Sequence, residues 1–253
     1  MIPYRDENPQ LLIPYATYII VFINIAVWIF LQGAGDVTTL NSSICEYGVI
    51  PGVIIGDVND YDYCTKGNIG SLSLLASMFL HGGWMHIIGN MIFLWIFGGN
   101  VEDSMGSFRF VVFYLLSGLT ATIAQVLWDG SSLTPMIGAS GAIGGVMGGY
   151  LFLYPKVRVS LVAFLIIPFT FSLPAYAMLG YWFLLQLASG LLSDSGSGGV
   201  AFLAHVGGFV SGVVLVYLMK DEELLTGHPY RGWVDRKHPS SIWDEPNNRF
   251  KND

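Results

Sequence analysis

Six stretches of this chain are long and apolar enough to be read as membrane-spanning helices, at about 13–33, 82–100, 108–128, 140–155, 174–193 and 200–219. A helix needs about 20 mainly apolar residues to cross a hydrocarbon core of roughly 30 Å. Backbone in lipid must satisfy its own hydrogen bonds, which restricts what the chain can fold into. Composition agrees with this reading: 53% of the 253 residues are hydrophobic and only 11% are charged, where soluble domains carry about a quarter charged residues. Mean hydropathy is +0.57. The expected class is an all-α polytopic membrane protein. A sequence pI near 5.0, with no basic stripe, argues against nucleic acid as a partner. The net charge of −7 calls for no metal or acidic-substrate explanation, because much of it lies in loops and in the last 34 residues.

Cation placement orients the spans. With the N-terminus inside, the inside segments hold Arg5, Arg109, Lys156, Arg158, Lys220, Arg231, Arg236, Lys237, Arg249 and Lys251, and the outside segments hold only Lys66. Such a bias marks the cytoplasmic side. A seven-span reading would move the last six of these cations outside and is rejected. The expected organisation is a cytosolic segment 1–12, a six-helix membrane domain 13–219 and a polar, partly disordered cytosolic tail 220–253, in a plasma (inner) membrane. Residues 159–173 are apolar but are interrupted by Pro168 and bounded by Pro174. They are read as an interfacial or re-entrant connection, the alternative being an extension of the fifth span. No cleavable signal peptide or short lipidation motif is recognised. The first outside loop, about 34–81, is long and contains both cysteines. A Cys45–Cys64 disulfide suits an oxidising face, and two unpaired thiols are the alternative. Asn41-Ser42-Ser43 fits a glycosylation sequon.

Strongly polar side chains within spans are costly in lipid and so are candidates for function. Here they are His86 and Asn90 in the second span, Gln125 in the third, Gln186 in the fifth and His205 in the sixth. No Asp or Glu lies mid-span, which argues against an ion-coupled transporter and against a carboxylate metal site. His86 and Asn90 are one helical turn apart on one face, placed either for joint action or as interhelical hydrogen-bond glue. Ser140 stands in Gly138-Ala139-Ser140-Gly141 at the start of the fourth span. A serine there is commonly an N-cap. Yet the flanking glycines allow a sharp bend and close approach, and the helix N-terminus favours negative charge. Residues 140–154 rise only about 22 Å as a helix, so Ser140 is expected below the outer surface, facing a wet cavity. Gly141, Gly145 and Gly149 form one small-residue stripe, and Ala204, Gly208 and Gly212 form another. Two such faces pack closely. Because the fourth and sixth spans run in the same direction, Ser140 and His205 fall at similar depth, a nucleophile beside a base.

These residues resemble the rhomboid family of intramembrane serine proteases. The strings that carry the resemblance are His81-Gly-Gly-Trp-Met-His86-Ile-Ile-Gly-Asn90, Gly138-Ala-Ser140-Gly141 and Ala204-His205-Val-Gly-Gly208-Phe-Val-Ser-Gly212, with Phe97-Gly-Gly-Asn-Val-Glu102 at the second-span exit. The similarity runs over about 75–215. It implies a six-transmembrane-helix bundle with a long first extracytoplasmic loop. It also implies endopeptidase action on transmembrane segments of membrane proteins near the outer surface, by a Ser–His dyad without a cofactor. By position, Ser140 matches the nucleophile and His205 the general base. His86 and Asn90, with the Ser140 N–H, match the groups that bind the oxyanion. His81 matches a structural second histidine, and Glu102 a structural acid.

There are two departures from the family's pattern. A Trp-Arg pair found in the first loop of some relatives is absent, and Gly144 stands where some carry a tyrosine packed under the histidine. The group that orients His205 is therefore unassigned. Trp182, Phe183 and Gln186 on the fifth span read either as a lateral gate or as core packing. The competing functional reading is a proteolytically inactive rhomboid-like protein that binds membrane clients. It predicts loss of Ser140 or His205, and both are present.

Overall fold

A computed structural model describes residues 2–56, 64, 67–164, 168–192, 201–226, 228 and 230. Strand β1 (Ile2–Asp6) precedes α1 (Tyr15–Ala26), which continues through a π-helical turn, Val27–Leu31. Three short helices follow: α2 (Val37–Tyr47), α3 (Pro51–Ile55) and α4 (Ser73–Ala76). Then come α5 (Trp84–Asp103), α6 (Ser107–Trp128) and α7 (Ser140–Leu153). Strands β2 (Arg158–Phe164) and β3 (Pro168–Pro174) lead to α8 (Ala175–Leu192), α9 (Phe202–Met219) and α10 (Glu222–Thr226). Among the described residues, α5, α6, α8 and α9 are long and apolar enough to cross a membrane, and Tyr15–Leu31 and α7 are shorter apolar helices. Phe22, Phe30, Phe108, Leu127 and Tyr217 are exposed. So much bare apolar surface is what lipid, rather than water, tolerates.

The short helix α7 is the centre of the bundle. Every residue from Gly141 to Tyr150 is buried, as befits a helix that is apolar all round. Its small residues meet α9 backbone to backbone. A Cβ on Gly208 would lie 2.0 Å from the Gly141 carbonyl oxygen, and one on Gly212 would lie 2.0 Å from that of Gly145. The two stripes anticipated from sequence therefore face each other, and only glycine fits at their crossing.

The all-helical expectation needs one correction. The N-terminal segment and the apolar stretch after α7 form a three-stranded antiparallel sheet in the order β1-β2-β3. Of the readings of 159–173, a re-entrant segment and an extension of the fifth span do not describe a sheet, whereas an interfacial connection does not conflict with it. Val159, Leu161 and Ala163 are buried, the period-two pattern of a strand with one covered face. Pro168 and Pro174 sit at the two ends of edge strand β3, and Pro3 lies in edge strand β1 beside a bulge, the positions where proline cannot disrupt a ladder. Asp6 in β1 accepts from Asn100 Nδ2 (3.0 Å) and from the Tyr150 hydroxyl (2.6 Å). Both partners lie near the C-terminal ends of their helices, so the sheet caps the end of the bundle opposite Ser140. At that same end the buried Glu102 carboxylate accepts from the Ala16 and Thr17 N–H groups at 3.0 and 2.8 Å, as well as from the Thr17 and Ser107 hydroxyls. It thus caps α1 from another helix, where a negative charge suits the helix dipole.

The expectations for residues 231–253 lie outside the described residues. Local chemistry holds the described parts of the segment before α5. Asp36 caps α2 by accepting from the Thr39 N–H at 3.0 Å, and a disulfide joins Cys45 to Cys64. Val49 and Met136 exchange backbone hydrogen bonds of 2.9 and 2.7 Å, which ties this segment to the chain leading into Ser140.

Candidate active site

Ser140 is the first residue of α7, and the backbone turns into it through Gly138 at φ +128°. That conformation favours glycine. A Cβ there would also lie 2.9 Å from His86 Nε2 and 3.4 Å from Ser140 Oγ, so the missing side chain is what lets the histidine and the serine share one corner. The Gly138 N–H donates to the Ser77 carbonyl at 2.9 Å and fixes the turn.

His205 stands in the first turn of α9, whose start is held by the Gln125 Oε1 accepting from the Ala204 N–H at 3.2 Å. His205 Nε2 lies 2.7 Å from Ser140 Oγ. The two residues singled out from sequence are thus in direct hydrogen bond. The glycine seam explains why: the spacing of α7 and α9 is set by backbone contact, not by flexible side chains.

A cavity of about 780 Å³ reaches this pair, lined among others by His86, Asn90, Gln125, Trp182 and Gln186. His86 and Asn90 therefore join the serine and His205 in one cavity. The His86 ring is held by the Gly82 N–H donating to Nδ1 at 3.2 Å. Asn90 is buried, and its Nδ2 has no partner among the described residues. Such an amide is a donor in want of an acceptor. His81 is fully buried and packs edge-on against His86, ring centroids 5.1 Å apart. Its backbone is clamped on both sides by Gln32, whose amide accepts from the His81 N–H and donates to the His81 carbonyl, each at 2.8 Å. That is a structural placement.

One contact in the site was not legible beforehand. His205 Nδ1 lies 2.7 Å from Gln186 Oε1 on α8, and the Trp182 ring, one turn earlier on α8, lies against the imidazole with centroids 5.9 Å apart. Gln186 was visible as a polar residue in a span, but nothing in the sequence paired it with His205. At Gly144 a Cβ would meet the His205 carbonyl oxygen at 2.9 Å, so α9 passes too close for a side chain to support the histidine from α7.

Comparison with known proteins agrees with this architecture. The Rhomboid domain family model matches residues 70–222. The chain is 29% identical over 186 residues to RHOMBOID-like protein 4 of Arabidopsis thaliana, covering 71% of this chain and 40% of that protein. It is 30% identical over 188 residues to RHOMBOID-like protein 6, mitochondrial, of the same plant, covering 72% and 52%. It is 42% identical over 79 residues to Rhomboid protease GluP of Bacillus subtilis, covering 31% and 15%. The chain thus spans about half or less of the length of these relatives.

Proposed function

The chain belongs to the rhomboid family, and from that premise we propose that it is an intramembrane serine endopeptidase that cuts transmembrane segments near the outer membrane surface. The observation that carries the reading is the 2.7 Å contact between Ser140 Oγ and His205 Nε2 inside a lined cavity. A serine hydroxyl is a weak nucleophile unless a base within hydrogen-bond reach accepts its proton. The Bacillus relative, matched over a short stretch, is a protease by name.

The reaction runs in two halves. Ser140 Oγ attacks the scissile carbonyl carbon as its proton passes to His205 Nε2. The resulting oxyanion takes hydrogen bonds from Asn90 Nδ2, His86 and the Ser140 N–H, at the N-terminus of α7. His205 returns the proton to the leaving amine, the C–N bond breaks, and Ser140 carries the acyl group. Water then attacks the ester with His205 again as base, releasing the acid and restoring the serine. A helical substrate shields its amides, so the cleaved segment unwinds before attack, which favours substrates with Gly or Pro near the site.

In this reading α1 with its π turn and α7 also cross the membrane, giving six spans. The N-terminus and the tail 220–253 face the cytoplasm of a plasma (inner) membrane. The arrangement of a cytosolic segment 1–12, membrane domain 13–219 and tail follows from that orientation, and the segment 34–81 becomes the outer loop. Activity-based labelling tests the site. A fluorophosphonate should attach at Ser140 in the wild type, and should attach at a rate lowered by about 10²-fold or more in His205→Ala. A label at any other residue contradicts the assignment.

A further inference from the structure

We propose that Gln186 is the positioning residue for His205, selecting the imidazole tautomer that can accept the serine proton. This rests on the proteolytic reading of the site and names the group that completes it. An amide presents an acceptor oxygen at one end and a donor nitrogen at the other, so the proton arrangement depends on which end faces the ring. Here the oxygen faces His205 Nδ1 at 2.7 Å. That places the ring proton on Nδ1 and leaves Nε2 as a lone pair, 2.7 Å from the Ser140 hydroxyl. The reversed tautomer would point an N–H at Ser140 Oγ and leave the ring unable to act as a base toward it. A histidine's working nitrogen is set by the hydrogen bond the other nitrogen makes.

The local geometry leaves this task to α8. The Gly144 position faces the His205 carbonyl oxygen at 2.9 Å from where a Cβ would stand, so α7 has no room to offer a side chain. Trp182 and Gln186 are four apart on α8, hence on one face; one lies against the ring and the other binds its edge. The Phe183–Phe209 contact, with centroids 4.8 Å apart, fixes that face of α8 against α9. The base is therefore oriented from a different helix than the one that carries the nucleophile, and by a neutral group in place of a carboxylate. Among the described residues lining the cavity, the titratable or charged groups are His86, Asp129 and His205 itself, so no carboxylate on α8 competes for the role.

The test uses the full chain in detergent or liposomes, with Gln186→Met, which keeps length without the hydrogen bond, Gln186→Ala, and Gln186→Glu. Nitrogen-15 NMR of labelled histidine, assigned by a His205→Asn control, reads the tautomer directly. The expected result is Nδ1–H in the wild type, with a shift toward Nε2–H in Gln186→Met and Gln186→Ala. With a transmembrane reporter, kcat should fall about 10- to 100-fold in both variants with KM within about twofold, below the roughly 10⁴-fold loss that follows when a charged orienting partner is neutralised. Gln186→Glu should recover most of kcat and move the acid limb of the pH profile upward, because a carboxylate at Nδ1 favours the protonated ring. An Nε2–H tautomer in the wild type, an unchanged tautomer in Gln186→Met, or a loss confined to KM would each overturn the proposal. The tautomer measurement needs no cleavage. If no reporter is cut and Ser140 takes no label while the tautomer shifts as stated, the proteolytic reading fails and the positioning of His205 stands.

Discussion

At the residue scale, the site works by what is absent as much as by what is present. Gly138 leaves room for His86, and Gly144 leaves room for the α9 backbone. Among the described residues the buried Asn90 Nδ2 has no partner, and it lines the cavity that holds Ser140 and His205. A donor held ready for charge that appears only during reaction contributes to turnover and not to stability. Asn90→Ala should therefore lower kcat by about 10²–10³-fold. The thermal unfolding midpoint should not fall, since no hydrogen bond from that nitrogen is lost; a clear drop would make Asn90 structural glue instead. His86, Asn90 and His205 stand out in the sequence as polar groups where lipid makes polarity costly, and Ser140 by its flanking glycines at the start of a short span. Gln186 was legible as a polar residue but not as the partner of His205. The two are 19 residues apart, and only the packing of α8 on α9 brings them together.

At the element scale, two glycine-bearing helices set the geometry. The α7–α9 seam places Ser140 against His205, so its spacing matters more than any single polar contact in it. Gly208→Ala would put a methyl 2.0 Å from a backbone carbonyl, and a backbone cannot yield as a flexible side chain does. Overpacking of this kind costs about 1–3 kcal/mol, occasionally more. The variant should unfold at lower temperature and lose Ser140 labelling together. Loss of neither would show that the seam tolerates separation. The seam was readable from the i, i+4 spacing of small residues. The sheet was not read, although Val159-Ser160-Leu161 and Phe169-Thr170-Phe171 alternate apolar and polar residues as a strand does; the high overall apolarity of 159–173 resembles a span and masks that period. Pro168 and Pro174 read as breaks in a helix, whereas they are the ends of an edge strand. Helices α3 and α4, of 5 and 4 residues, are too short for a periodic signal, whereas α2 starts at the Asp36 cap but is rich in Thr, Ser and Asn, residues that favour caps and turns.

At the scale of the whole molecule, the bundle has a chemical end and a structural end. The structural end gathers Asp6, Asn100, Glu102 and Tyr150 beneath the sheet. Burial pushes the Asp6 carboxyl up from its ordinary 3.8 to about 6, against the lowering effect of its hydrogen bond from Tyr150. A carboxyl whose folded pKa lies above its unfolded value binds protons more tightly when folded. Its contribution to stability is therefore fully present below about pH 4 and is lost as pH rises through about 6. Asp6→Asn keeps an oxygen for both Asn100 and Tyr150 but carries no charge. Relative to the wild type, it should gain in melting temperature between pH 4 and pH 7, and a difference that does not change with pH would contradict the shift. The chemical end holds the central claim, which one measurement tests most directly. Wild type and Ser140→Ala are reconstituted in liposomes with a reporter bearing one glycine-containing transmembrane segment, and the new termini are mapped by mass spectrometry. The account predicts a single cut near the outer end of that segment with wild type and none with Ser140→Ala; equal cleavage by both proteins would contradict it.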